Sequence, residues 1–138
     1  MELTRRETLG LGLGAAVLAV APFRANAAAE DAIAAFTGGA DMAEGGVALT
    51  APEIAENGNT VPIEVSAPGA TAILVVAAGN PEPGVATFNF GPLAAAQTAS
   101  TRIRLAGTQD VIAVAKMADG SFAKASATVK VTIGGCGG

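Results

Sequence analysis

Beyond residue 46 the chain is organised on a period of two. Ala125, Ala127, Val129, Val131 and Ile133 alternate with Ser126, Thr128, Lys130 and Thr132, which predicts a strand with the first set facing inward. Val61, Ile63 and Val65 alternate with Pro62, Glu64 and Ser66; a proline cannot donate to a ladder, so this strand is expected at a sheet edge. From Thr101 to Leu105, Ile103 and Leu105 share one face while Arg102 and Arg104 take the other. Val47 to Thr50, stopped by Pro52, and Val85 to Phe90 are further strands. Two runs, Thr71 to Ala77 and Val111 to Met117, are apolar on both faces. Either their alanine-rich outer faces are merely neutral, or a partner subunit covers an outer sheet face.

Turn signals punctuate these strands: Asn57-Gly58-Asn59, Pro68-Gly69, the rigid Asn80-Pro81-Glu82-Pro83-Gly84 loop, and Asp119-Gly120 as a hairpin. The pattern before residue 46 is helical. Glu30 to Phe36 reads as a short helix with Glu30 and Asp31 at its N-terminus, Ile33 and Phe36 on one face, and Gly38-Gly39 as its end. Seven short strands over about 100 residues predict a mostly β fold. The expected architecture is an immunoglobulin-like antiparallel β-sandwich with a short N-terminal helix, a small barrel being the competing topology.

The first 27 residues read as a signal peptide. Arg5 and Arg6 form a twin-arginine start, Leu9 to Ala21 is an apolar stretch too short to span a bilayer, and Ala25-Asn26-Ala27 is a cleavage site. Thr8 stands where twin-arginine leaders often have phenylalanine, so a general secretory signal is the alternative. The organisation expected is a leader at 1–27, a sandwich domain at 28–133 and a glycine arm at 134–138. Removing a leader of net charge +1 from a chain of net charge −4 leaves the mature domain at −5, which disfavours nucleic acid and anionic lipid as partners.

Composition narrows the chemistry further. The chain has no histidine, so histidine-based triads and most zinc or iron sites are excluded. Its one cysteine cannot close an internal disulfide or hold an iron–sulfur cluster. No catalytic residues, bound cofactor or metal site are expected, and the protein is read as a non-enzyme.

That one cysteine, Cys136, lies in Gly134-Gly135-Cys136-Gly137-Gly138. Three extended residues beyond Ile133 cover about 10 Å. Glycines on both sides leave the segment slim and conformationally free. No cation is closer in sequence than Lys130, and the terminal carboxylate disfavours a thiolate, so the thiol reads as an attachment point activated inside other proteins. The bland alternative is a frayed, glycine-rich end. A free thiol in an oxidising compartment is a liability, however, and favours a use for it. A lipoprotein cysteine would stand at the mature N-terminus, and a prenylated one fourth from the end; Cys136 is third.

The twin-arginine start, the segments Asp31 to Gly39 and Ala51 to Pro62, and the Gly134–Gly138 pentapeptide together resemble the SoxY family, the thiosulfate-carrying subunit of the bacterial sulfur-oxidation (Sox) system. The resemblance implies that Cys136 is the attachment point for sulfur intermediates in the periplasm, with Gly134, Gly135, Gly137 and Gly138 as a swinging arm. It implies a heterodimer with SoxZ, a second small β-sandwich subunit. It also implies three transient partners: a c-type cytochrome that conjugates thiosulfate, a manganese hydrolase that releases sulfate, and a sulfane dehydrogenase. Two other readings compete. A ubiquitin-like sulfur carrier would use the Gly138 carboxyl as a thiocarboxylate, and a structural protein would join copies through a Cys136 disulfide.

Overall fold

The computed structural model describes residues 24–134; of the leader expected at 1–27, residues 1–23 lie outside the described residues. One helix, α1 (Arg24–Thr37), precedes nine strands: β1 (Met42–Glu44), β2 (Ala48–Thr50), β3 (Ile54–Asn57), β4 (Val61–Ser66), β5 (Ala70–Ala77), β6 (Gly84–Asn89), β7 (Thr98–Ile103), β8 (Gln109–Met117) and β9 (Phe122–Ile133). They form a sandwich of a six-stranded sheet, ordered β1-β9-β8-β5-β6 with β3 also on β9, and a three-stranded sheet, β2-β4-β7. The immunoglobulin-like fold is therefore as expected, with two strands more. β1 and β3 are three and four residues long, too short to show an alternation, and both run parallel to β9 at successive stretches of its edge. All other pairs are antiparallel.

The main core lies between the sheets. Val61, Ile63 and Val65 of the small sheet meet Ile73, Val75, Val111, Ala113 and Val129 of the large one, with Ile103 and Leu105 closing the end. Arg102 and Arg104 point to solvent, as the alternation required. Ile133 departs from it: the residue is 64% exposed, because β9 there has passed β8, whose pairing with it ends at Gln109–Val129, and is flanked by β3.

Pro62 corrects a second expectation, for β4 is the central strand of its sheet. The proline is tolerated because β2 is short. Its pairing with β4 ends at Thr50–Glu64, so at Pro62 only β7 lies alongside, through Arg102. The strand is central as a whole and an edge at that one residue.

The doubly apolar strands have a different explanation from either one considered above. The inner faces of β5 and β8 build the main core, while Leu74, Val76 and Val114 face outward beside Phe122. This outer face is covered by the chain's own helix, through Ala29, Ala32, Ile33 and Phe36. The Phe36 and Phe122 rings meet edge to face, 6.0 Å between centroids and 70° between planes. The helix begins earlier than Glu30, so Glu30 and Asp31 fall in its second turn rather than its first. It ends as expected, at Gly38, whose φ of 68° is a left-handed cap and whose N–H reaches the Ala34 carbonyl at 2.7 Å.

The β8–β9 turn also follows its sequence signal. Gly120 adopts φ of 89°, and the Asp119 carboxylate accepts bonds from the Ser121 hydroxyl at 2.6 Å and backbone N–H at 2.9 Å. These bonds hold the Asp119 carboxyl below its ordinary range, the hydroxyl bond contributing most.

Candidate functional site

The sequence directs attention to the end of β9, where the glycine arm begins. Gly134 is the last residue described; Gly135, Cys136, Gly137 and Gly138, the rest of the expected arm and attachment site, lie outside the described residues. What the structure resolves is the root from which they depart, and two loops build it.

The first is the Asn57–Thr60 turn between β3 and β4. Asn57 stands in register with Ile133, and the next residue, Gly58, is buried. The Gly58 N–H donates to the Ile133 carbonyl at 2.7 Å, and the Gly58 carbonyl accepts from the Leu105 N–H at 2.8 Å. The turn is set by the Asn57 side chain, whose Oδ1 accepts from the Asn59 N–H at 3.0 Å. Glu53, just before β3, and Glu56, within it, are exposed, and the Glu53 carbonyl accepts from the Lys130 N–H at 2.9 Å. The turn thus ties the end of β9 to the loop that follows β7, just before the arm.

The second is the 104–108 loop between β7 and β8. Gly134 packs on its backbone: a Cβ built at residue 134 would overlap the Ala106 carbonyl oxygen and stand 3.2 Å from its carbon. Glycine is needed here for close approach of two backbones, apart from any freedom it confers. Two residues earlier in β9's inward set, the Val131 N–H donates to Thr108 Oγ1 at 3.0 Å.

The loop is held from behind by a buried amide pair that sequence reasoning missed. Asn80 and Gln109 are 8% and 9% exposed. Asn80 Nδ2 donates to the Arg104 carbonyl at 2.8 Å, while its Oδ1 accepts from the Ala106 N–H and from Gln109 Nε2, each at 2.9 Å. Gln109 Nε2 also donates to the Gly107 carbonyl at 3.0 Å, and its Oε1 accepts from the Gly79 N–H at 2.9 Å. Among the described residues no buried side-chain polar atom lacks a partner. Asn80 looks in sequence like one more residue of a Pro/Gly loop; nothing local reveals that it caps a loop 26 residues away. Asn80→Ala should cost about 2–4 kcal/mol, since it leaves several desolvated backbone and amide groups without partners. Urea unfolding of the two proteins measures it, and a loss under about 0.5 kcal/mol would show that water replaces the amide.

Two surface grooves exist, one along Pro52, Pro62 and Arg102 and one beside α1 at Ile33, Met42 and Lys124. Neither is lined by Gly58, Ala106 or Gly134.

The fold and this root define an immunoglobulin-like domain that ends in a glycine-flanked cysteine just past a braced strand. The family described as sulfur oxidation protein SoxY matches residues 33–136. The chain belongs to the SoxY family. The solved structure of the sulfur carrier protein SoxY from Chlorobium limicola f thiosulfatophilum is 39% identical, with a TM-score of 0.66 over 75% of this chain and 96% of that one. A superoxide reductase (neelaredoxin) from Ignicoccus hospitalis shares the fold only, at 18% identity and a TM-score of 0.55, covering 62% of this chain and 78% of that one. No significant match was found among curated proteins. Family membership places the protein among the carriers of the sulfur-oxidation system.

Proposed function

We propose that this protein is a non-catalytic periplasmic carrier that holds thiosulfate-derived sulfur on the Cys136 Sγ and presents it to the other enzymes of sulfur oxidation. One observation carries the reading: in a chain of a sulfur-carrier family, the only thiol stands three residues beyond a strand end fixed on both sides, and the family match runs through it. A carrier needs its cargo outside its own fold and needs no pocket to receive it. An unactivated thiol suits an intermediate that must survive transit between enzymes.

The chemistry follows from the bonds. The thiol loses its proton and thiosulfate's outer sulfur joins Sγ, two electrons passing to a c-type cytochrome, to leave Cys–S–S–SO₃⁻. Water then cleaves the bond between the sulfane sulfur and the sulfonate sulfur in a manganese hydrolase. Sulfate and a proton leave, and Cys–S–SH remains. A sulfane dehydrogenase oxidises that sulfane sulfur. The metal and haem chemistry belongs to these partners; this chain supplies the attachment atom. SoxZ is the proposed partner subunit, exported with the carrier by the twin-arginine route as a folded pair.

The N-terminal helix accommodates the proposed cleavage. Among the described side chains, the α1 residues that touch the outer face of β5 and β8 lie at or beyond Ala29, so cutting after Ala27 keeps them. It also brings Glu30 and Asp31 into the first turn of the shortened helix, where carboxylates are favourable.

Intact mass of the protein from the periplasm of cells oxidising thiosulfate, before and after mild reduction, tests the proposal. Added sulfur mass on the Cys136 peptide, lost on reduction, is expected. A bare thiol, a constitutive dimer joined at Cys136, or a modified Gly138 carboxyl would each overturn it.

A further inference from the structure

The root is bracketed so completely that it has a consequence for how the arm works. The last β9 carbonyl is held by Gly58, the strand two residues earlier by Thr108, and Gly134 by contact with the Ala106 backbone. The Ala106 backbone is in turn fixed through its N–H by Asn80, which Gln109 orients and which also ties down Arg104. Support thus passes from two buried amides, through one loop, to the first glycine of the arm. Burying two primary amides and satisfying both is a demanding arrangement for a plain surface turn. A Cβ at residue 134 would meet the Ala106 backbone, so the close approach at the base of the arm requires glycine.

We infer that Gly134, Ala106, Asn80 and Gln109 form a fixed pedestal that sets the direction in which the Cys136 segment leaves the domain, so that these are positioning residues for sulfur delivery. Movement of the cargo begins after Gly134, not at Ile133. A partner enzyme that docks on the sandwich therefore finds the thiol within a cone of about 7–10 Å reach from a known origin, instead of searching a hemisphere. A shifted origin costs little in docking affinity and much in turnover, since reacting atoms tolerate small misplacements poorly. The inference rests on the carrier reading of Cys136.

The test compares wild type, Gly134→Ala and Gln109→Leu, each as the mature chain with its partner subunit. Two rates are measured at 25 °C on protein shown folded by circular dichroism. One is reaction of Cys136 with a small aromatic disulfide, which needs no docking. The other is loading from thiosulfate by the cytochrome, resolved into kcat and KM. In Gly134→Ala the loading kcat should fall by about tenfold or more, with KM and the small-disulfide rate each within about twofold of wild type. Gln109→Leu should show the same split to a smaller degree. Wild-type loading in Gly134→Ala, or an equal fall in both rates, would overturn the pedestal. If Gly134→Ala does not fold, the presence or absence of the split in Gln109→Leu decides. A wild type that carries no sulfur on Cys136 would instead refute the carrier reading, so the two failures are distinct.

Discussion

Cys136→Ser is expected to abolish sulfur loading completely while moving the unfolding temperature by no more than about 3 °C. The two halves of this result have separate causes. Loading fails because a serine hydroxyl, with a pKa far above that of a thiol, cannot form the S–S bond on which the proposed carrier cycle depends. No second cysteine exists in the chain to substitute for it. Stability is expected to be spared because the contacts described at the end of the domain are made by Gly134 and the residues before it, and Cys136 lies two residues further along the sequence. Mass spectrometry after incubation with thiosulfate and the cytochrome gives the first half; calorimetry gives the second. A serine variant that still gains sulfur mass would move the attachment site elsewhere. One that loses 8 °C or more would show the cysteine to be packed into the fold.

Where the fold was legible in the sequence, it was because one strand residue in two meets the core. Val61, Ile63 and Val65, or Ile103 against Arg102, record their surroundings directly. β1 and β3 left no such record, since a three- or four-residue strand on the margin of β9 has too few inward positions to make a pattern. The doubly apolar β5 and β8 left open whether their outer faces were neutral or covered by a partner, and did not point to the chain's own helix, because a helix of the same chain and a foreign subunit present the same apolar chemistry. For the site, the sequence marked the proposed attachment point through the rarity of cysteine. It could not mark the root. Gly58, Asn80 and the Ala106–Gln109 stretch come from three separate parts of the chain, and only β9's passage between two loops gathers them at the root.

Phe36→Ala is the substitution expected to cost most in stability at the outer face, about 2–3 kcal/mol. Ala29, Ile33 and Phe36 recur at helical spacing and form the stripe by which α1 covers Leu74, Val76, Val114 and Phe122. Phe36 is its largest member and makes the edge-to-face contact with Phe122. Truncating a fully buried phenylalanine costs about 3–5 kcal/mol, and Phe36 is only half-buried, which sets the lower figure. A domain of this size has roughly 5–15 kcal/mol in total, so the unfolding temperature should fall by about 10 °C or more. A shift under about 2 °C would mean that α1 does not cover the sheet in solution. The same variant tests the partner-subunit account of the apolar outer face that the sequence left open. With the helix as the cover, the partner subunit binds another surface, and Phe36→Ala, still folded at 25 °C, should bind it with wild-type affinity. If that affinity instead falls tenfold, the helical face is part of the partner's interface, and the sheet beneath it is covered twice.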